Sequence, residues 1–410
     1  MQRPMEGIRV LEVAQFTFVP AAGAVLADWG AEVTKVEHAE LGDGQRGLTN
    51  VLGISTAGDG SSFSPIFDGP NRGKRSVGIA LDTAEGRALL DELIRRADVF
   101  VTNYLPGTRA KLRLDLEDIR SVNPDIIYVR GSGFGAQGPE ADKGGYDMTS
   151  FWARGGSGQG ATPAGAERMS PMPAGAYGDN LGGMTIAGGI AAALFARART
   201  GETSVVDVSL LGVGAWATQF TVNLALLAGG PPIRPPVPKH GSARNPLVGN
   251  YQTADGRWVI FSMLQPGRYW PAFCAAVGRP ELAEDERFDS VEKVMDNAPA
   301  AAEIIAGIIR ELSFDEVAAA LDKIGGQWAA VQDAWGVAND VSLRANGLIA
   351  TVEDADGVAR ELVANPVQFD ESPVQLTRAP LFAEHTDEVL RELGVSDERL
   401  IELKIARAIT

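Results

Sequence analysis

Residues 7–37 read GIRVLEVAQFTFVPAAGAVLADWGAEVTKVE. The stretch opens on a short apolar run, GIRVLEV (7–13), with the length and composition of a buried strand. Pro20 follows, suited to the first turn of a helix, PAAGAVLADW, where its missing N–H is no loss. Gly30 stands at the C′ position, where helices commonly end in a left-handed residue. AEVTKVE (31–37) then reads as a second strand. Two strands joined by a helix point to parallel neighbours, because a parallel pair needs a crossover connection.

The alternation continues outward. SVGIAL is a third strand, followed by a helix from about Thr83 to Ala97 led by Asp82 and Glu85 at capping-box spacing. DVFVTN (98–103) and DIIYVR (125–130) are further strands. The expected fold is α/β: a Rossmann-like open parallel sheet with helices on both faces. Around 229–238 the sequence turns to GGPPIRPPVP, a stiff connector. Beyond it, YQTADGRWVIFSM and LIATVEDADGVARELV each carry Asp-Gly between apolar runs, which is hairpin chemistry, with helices expected over 298–312 and 314–324. This reads as a smaller α+β domain. The expected division is a large domain over 1–207, a linker over 208–240, the smaller domain over 241–330, a return segment over 331–374, and a C-terminal segment, 375–410, that rejoins the large domain.

The chain has 410 residues, with 37 basic against 53 acidic side chains and a net charge of −16. That balance argues against nucleic acid or an anionic membrane as a general partner, so an anionic ligand needs a local basic patch. The single cysteine, Cys274, rules out an intrachain disulfide and a cysteine-based metal site, and fits the cytoplasm. The start, MQRPMEGIRVLEV, shows no charged segment leading into an apolar signal core. Val208 to Ile233 carries no charge, long enough for a membrane span. Gln219, Asn223 and several glycines within it favour a buried helix instead.

Few residues offer chemistry. Gly133, Gly135 and Gly138 form a literal G-x-G-x-x-G after DIIYVR, but Pro139 and polar residues follow where a helix would have to open, so a dinucleotide is not expected. The three histidines, His38, His240 and His385, have no metal-like companions. Asp179 stands before the glycine- and alanine-rich run LGGMTIAGGIAAALFAR. On its own it reads first as a helix N-cap, with the one carboxylate at the mouth of a site as the alternative. Two basic clusters, Arg72, Lys74 and Arg75 in NRGKRS and Arg109, Lys111 and Arg113 in NYLPGTRAKLRL, read either as a phosphate patch or as solvated charge.

Taken together, GIRVLEVAQ, LADWGAEVTKVE, NRGKRSVGIALDTAEGRALL, PGTRAKL, NPDIIYVRGSGFGAQGP, GGYDMTS, AYGDN, TGETSVVDVSLL, YQTADGRW and PLFAEHTDEVL resemble, in order, the class III CoA-transferases. This is the superfamily of formyl-CoA transferase, the carnitine and bile-acid CoA-transferases and the α-methylacyl-CoA racemases. The resemblance implies Asp179 as a covalent nucleophile that moves CoA from an acyl-CoA to a free carboxylic acid. A carboxylate needs no general base when ionised, as a carboxyl with an ordinary pKa of about 4 is at neutral pH. The resemblance further implies that Gln15, Phe16, Thr17, His38, Arg72, Lys74, Asn103, Tyr104, Arg109 and Lys111 line the CoA site, with His38 standing where formyl-CoA transferase has an arginine. CoA enters as substrate, with no resident cofactor. Amides at the start of the glycine-rich helix are expected to stabilise the oxyanion.

The same likeness implies a ring interlocked with a second copy, with 208–233 and the proline connector buried against the partner. Racemases of this fold carry a histidine before an aspartate. Here the triplet is Gly145-Tyr146-Asp147, and a tyrosine titrates too far above neutrality to shuttle protons as histidine does. That favours transfer, with Tyr146 at the catalytic site, over the alternatives of racemase or non-catalytic CoA-binding protein. Met148, Phe151 and Trp152 are expected to shape a pocket for an acid larger than formate or oxalate.

Overall fold

Strand β1 (Arg9–Val13) alternates its side chains between two buried faces, Val10 on one side and Leu11 and Val13 on the other. The same alternation holds in β2 (Glu32–His38), β3 (Lys74–Ile79), β4 (Val99–Thr102) and β5 (Ile127–Ser132). Val99, Val101, Ile127 and Val129 face one core, and Phe100 and Tyr128 face the other. A strand buried on both faces belongs to a parallel sheet covered by helices. All five pair in parallel, and β6 (Val205–Ser209) completes the order β3-β2-β1-β4-β5-β6. This is the order of a doubly wound sheet, whose crevice opens where the winding reverses, between β1 and β4. The computed structural model describes residues 3–51, 53–55, 61–231 and 239–410.

Helices α1 (Phe18–Asp28) and, on the opposite face, α2 (Ala84–Arg96) lie over the two cores. The cap of α2 is Thr83, whose hydroxyl accepts from the Gly86 amide at 3.0 Å, rather than the expected Asp82. Short α3 (Pro106–Leu112) follows β4. The apolar run after Asp179 forms α4 (Tyr177–Thr200), which packs on α1. Its glycines set the spacing. A Cβ on Gly182 would lie 2.3 Å from the Phe18 ring, and one on Gly183 would lie 2.6 Å from the Ala21 methyl. By length and composition α4 could cross a membrane, but its closest-packed face is taken by α1.

The uncharged run departs from expectation. It forms α5 (Leu210–Ala217) and α6 (Gln219–Ala228), bent by 77°. Leu210 and Val213 are buried, but no residue of α6 is. Phe220 is 77% and Leu227 85% exposed, so this is not a buried helix of the chain itself. The connector falls largely at 232–238, outside the described residues.

By internal contacts the chain forms two units. The first comprises Met1–Thr162, Glu167–Pro232 and Val341–Thr410, and the second Pro163–Ala166 and Ile233–Asp340. In the second, strands β7 (Val248–Gln252), β8 (Trp258–Ser262) and β9 (Trp328–Ala330) form an antiparallel sheet in the order β9-β8-β7. Helices α7 (Ala298–Glu311) and α8 (Phe314–Asp322) share its core. The second expected hairpin, β10 (Ile349–Glu353) with β11 (Ala359–Val363), lies in the first unit.

Candidate active site

The carboxyl ends of β1, β4 and β5 border a cavity of about 590 Å³. Phe16 and Phe18 enter its wall after β1, Asn103, Tyr104 and Arg109 after β4, and the loop Ser132–Ala136 after β5; Tyr146 and Asp179 complete the wall. Three chain segments far apart in sequence meet here because parallel winding brings every βα turn to one edge.

Asp179 is the third residue of α4, and its carboxylate does not cap that helix. Among the described residues nothing hydrogen-bonds to it. A second acid, Asp147, lies near the same helix start. The amides of Ala176, Tyr177 and Gly178 point at the Asp147 carboxyl, and the Met148 amide donates to its Oδ1 at 2.7 Å. Burial pushes Asp147 up, only partly offset by those amides, and its Oδ2 has no hydrogen-bond partner. Neither acid closes the helix through a side-chain hydrogen bond, and Asp179 is left in the cavity wall.

Burial, and then the nearby Asp147 charge, push Asp179 up to about 7. The ordinary value near 4 therefore does not hold here. Both causes favour the neutral acid, so the nucleophilic form increases only as pH rises through neutrality.

The residues around Asp179 are tightly set. Gln15 and Asn103 exchange two hydrogen bonds, Gln15 N–H to Asn103 Oδ1 at 3.0 Å and Asn103 Nδ2–H to the Gln15 carbonyl at 2.6 Å. Gln15 Nε2 also donates to the Tyr104 hydroxyl at 3.1 Å. Thr17 is buried behind the wall, accepting from Gln45 at 2.8 Å. Tyr146, two-thirds exposed, stands edge-on to the Phe16 ring. Arg109 bonds Asp115 at 2.8 Å and the Tyr104 carbonyl at 2.9 Å. Arg130, a wall residue the sequence did not single out, is paired with Asp207 through two bonds of 2.7 and 3.0 Å.

Of the twelve named residues, Phe16, Asn103, Tyr104, Arg109, Tyr146 and Asp179 share the cavity wall. His38 lies at the end of β2, outside it, with Nδ1 accepting from the Glu40 and Leu41 amides. Lys111 is exposed on α3, outside the wall.

The first basic cluster is corrected outright. Arg72 is buried and paired with Asp28 at 2.7 Å, and fully buried Lys74 is clasped by Glu12, the Pro20 carbonyl and Asn71. Both lie at the amino end of β3, away from the edge where ligands bind, so their charges neutralise buried carboxylates rather than phosphates.

Phe151 is likewise core, packed beneath Gly178, where a Cβ would lie 2.4 Å from its ring. Trp152 packs beside it against the same core, and Met148 is half-exposed outside the cavity, so none of the three shapes the pocket. The glycine loop at Gly133 and Gly135, unpromising as a dinucleotide fingerprint, does form cavity wall. Its position after β5 is the signal that could have marked it. No group of three or more potential metal ligands converges among the described residues.

Comparison with known proteins fits this geometry. The profile of CoA-transferase family III matches residues 5–386. The (R)-2-hydroxy-4-methylpentanoate CoA-transferase of Clostridioides difficile is 30% identical, over 99% of each chain. The succinate–glutarate CoA-transferase of Agrobacterium fabrum is 33% identical over 95% of this chain and 96% of its own. A crystal structure of a CAIB/BAIF family protein from Brucella suis superposes with a TM-score of 0.80 at 28% identity, covering 96% of this chain and all of the other.

Proposed function

The chain belongs to CoA-transferase family III, and on that footing we propose that it moves CoA between an acyl-CoA and a free carboxylate through a covalent intermediate on Asp179. The observation that carries this reading is an unbonded carboxylate in the wall of a large cavity at the switch point of the sheet.

The chemistry runs in four exchanges. Ionised Asp179 attacks the thioester carbonyl, the C–S bond breaks, and a mixed anhydride and CoA thiolate result. The thiolate attacks the aspartyl carbonyl, giving aspartyl-CoA and releasing the donor acid as its carboxylate. The acceptor carboxylate then attacks the aspartyl thioester, forming a second anhydride and thiolate. Finally the thiolate attacks the acceptor acyl carbon, yielding the new thioester and restoring Asp179. Every step exchanges one acyl bond for another, so no net proton, water or nucleotide triphosphate is consumed. Desolvation of Asp179 sharpens its nucleophilicity once ionised.

CoA is read as substrate, with no resident cofactor, its pantetheine arm entering between the β1 and β4 turns. The second basic cluster, Arg109 with Lys111, and beside it Arg130, supplies cations toward its phosphates. A homodimer of interlocked rings belongs to the same proposal, supported by the bare apolar faces of α5 and α6, where Trp216 is 71% exposed. A cytoplasmic location is proposed with it, supported by the lone, buried and unpaired Cys274.

The test is direct. The protein is incubated with an acyl-CoA, trapped with hydroxylamine, and the peptide bearing Asp179 is weighed. A hydroxamate at Asp179 is expected; steady turnover with that peptide unmodified would overturn the covalent route.

A further inference from the structure

Phe16 adopts the left-handed conformation, φ 64°, where a bulky side chain crowds its own backbone. It is pinned from both flanks. On one side Gln15 is locked to Asn103 by their two exchanged hydrogen bonds. On the other, the Phe16 amide donates to Asp43 Oδ1 at 3.0 Å, an oxygen that also accepts from the Gln45 amide at 2.9 Å. The second Asp43 oxygen lies 2.8 Å from the ammonium of Lys35, and both of these side chains are wholly buried. A strained residue persists only where its surroundings over-determine it, and such residues gather at functional sites.

What this restraint delivers is an aromatic ring in the cavity wall. Phe16 is 36% exposed and meets Tyr146 perpendicularly, centroids 6.2 Å apart, in the cavity that Asp179 also lines. None of the four exchanges at Asp179 uses a benzene ring, and the ring of Phe16 stands against Tyr146. The two perpendicular faces therefore act by shape and apolar contact. We propose that Phe16 is a specificity-determining residue whose ring, set by Asp43, limits the bulk of the apolar acyl group that reaches Asp179. Asp43 touches no substrate and is a positioning residue. The proposal rests on the transfer reading above.

The experiment compares wild type with Phe16→Ala, Phe16→Gly and Phe16→Trp, using butyryl-CoA and octanoyl-CoA as donors to one acceptor acid. The octanoyl-to-butyryl ratio of kcat/KM should rise about tenfold or more in the two small variants and fall in the tryptophan variant. The same two thioesters are titrated calorimetrically into these variants on an Asp179→Asn background, where no turnover is needed. Their affinity ratio should move in the same sense. Phe16→Gly should melt no lower than Phe16→Ala, because glycine adopts this φ freely. Asp43→Asn should shift the ratio in the wild type and leave it unmoved once Phe16 is glycine. If Asp43→Asn fails to fold, the Phe16 series decides alone. Ratios unchanged within about twofold in folded Phe16 variants would overturn the inference. A shifted affinity ratio without turnover would overturn the transfer reading and leave this one standing.

Discussion

Two places in the first unit hold buried acids, and they treat them in opposite ways. Beneath α1, Glu12 lies between Lys35 and Lys74, with Lys35 also reaching Asp43. Each charge answers another, and Gly23 of α1 leaves the room, since a Cβ there would meet Glu12 at 2.2 Å. At the start of α4, Asp147 and Asp179 are like charges, and only one of them is given donors. The neutralised cluster is architecture, and the unneutralised pair is where the proposed reaction is sited. Perturbed carboxyls gather at functional sites for this reason.

The largest expected effect breaks the unneutralised pair. Asp179→Asn should lower kcat by about a thousandfold or more while the far-ultraviolet spectrum and acyl-CoA affinity hold. Retained turnover would move the chemistry elsewhere. Next comes the neutralised cluster. Lys74→Met strips Glu12 of one partner and should destabilise the fold by about 3 kcal/mol, read as a fall in the denaturation midpoint, with little change in the kcat of the folded fraction.

A third test follows protons. Asp179, held up to about 7, must ionise to attack, so kcat/KM should climb with pH and reach half its plateau near 7. Because this acid binds its proton more tightly folded than unfolded, its ionisation opposes folding, and stability falls as pH rises from about 4 to about 7. In Asp179→Asn that slope should flatten, leaving the variant about 2 kcal/mol more stable than wild type at pH 8 once water in the cavity is allowed for. Asp147→Asn removes the second cause of the shift, and the pH–rate curve should move to lower pH. The smallest effects separate the two basic clusters. Arg109→Ala should weaken CoA binding about tenfold and Lys111→Ala about threefold, the latter vanishing at high salt. Arg72→Ala should leave CoA affinity unmoved and cost only stability.

The sheet was legible in the sequence wherever a strand is apolar on both faces, as in VFVT or IIYV. The sixth strand was not, because VVDVS sits at an edge, half-buried and interrupted by Asp207, and carries no such signature. The site divided the same way. Position after a strand end marked Asn103, the family resemblance marked Phe16, and the Gly133 loop was set aside although it too follows a strand. Read locally, Asp179 looks first like a cap, and only the fold shows its carboxylate unbonded in the cavity wall. Arg72 and Lys74 misled for the same cause: their partners, Asp28 and Glu12, are unrelated to them in sequence.

The glycine face of α4 carries a last consequence. With Cα hydrogens as its contact surface at Gly182 and Gly183, the helix lies close against α1, a Cβ at Gly183 falling 3.1 Å from the Ala22 nitrogen, and the proposed nucleophile rides on its first turn. One added methyl at either position lifts that end of the rod before it melts anything. A saturation screen should therefore find these glycines among substitutions that leave soluble, cooperatively folding protein with its reactive group misaligned, a geometric lesion that a solubility assay would pass over.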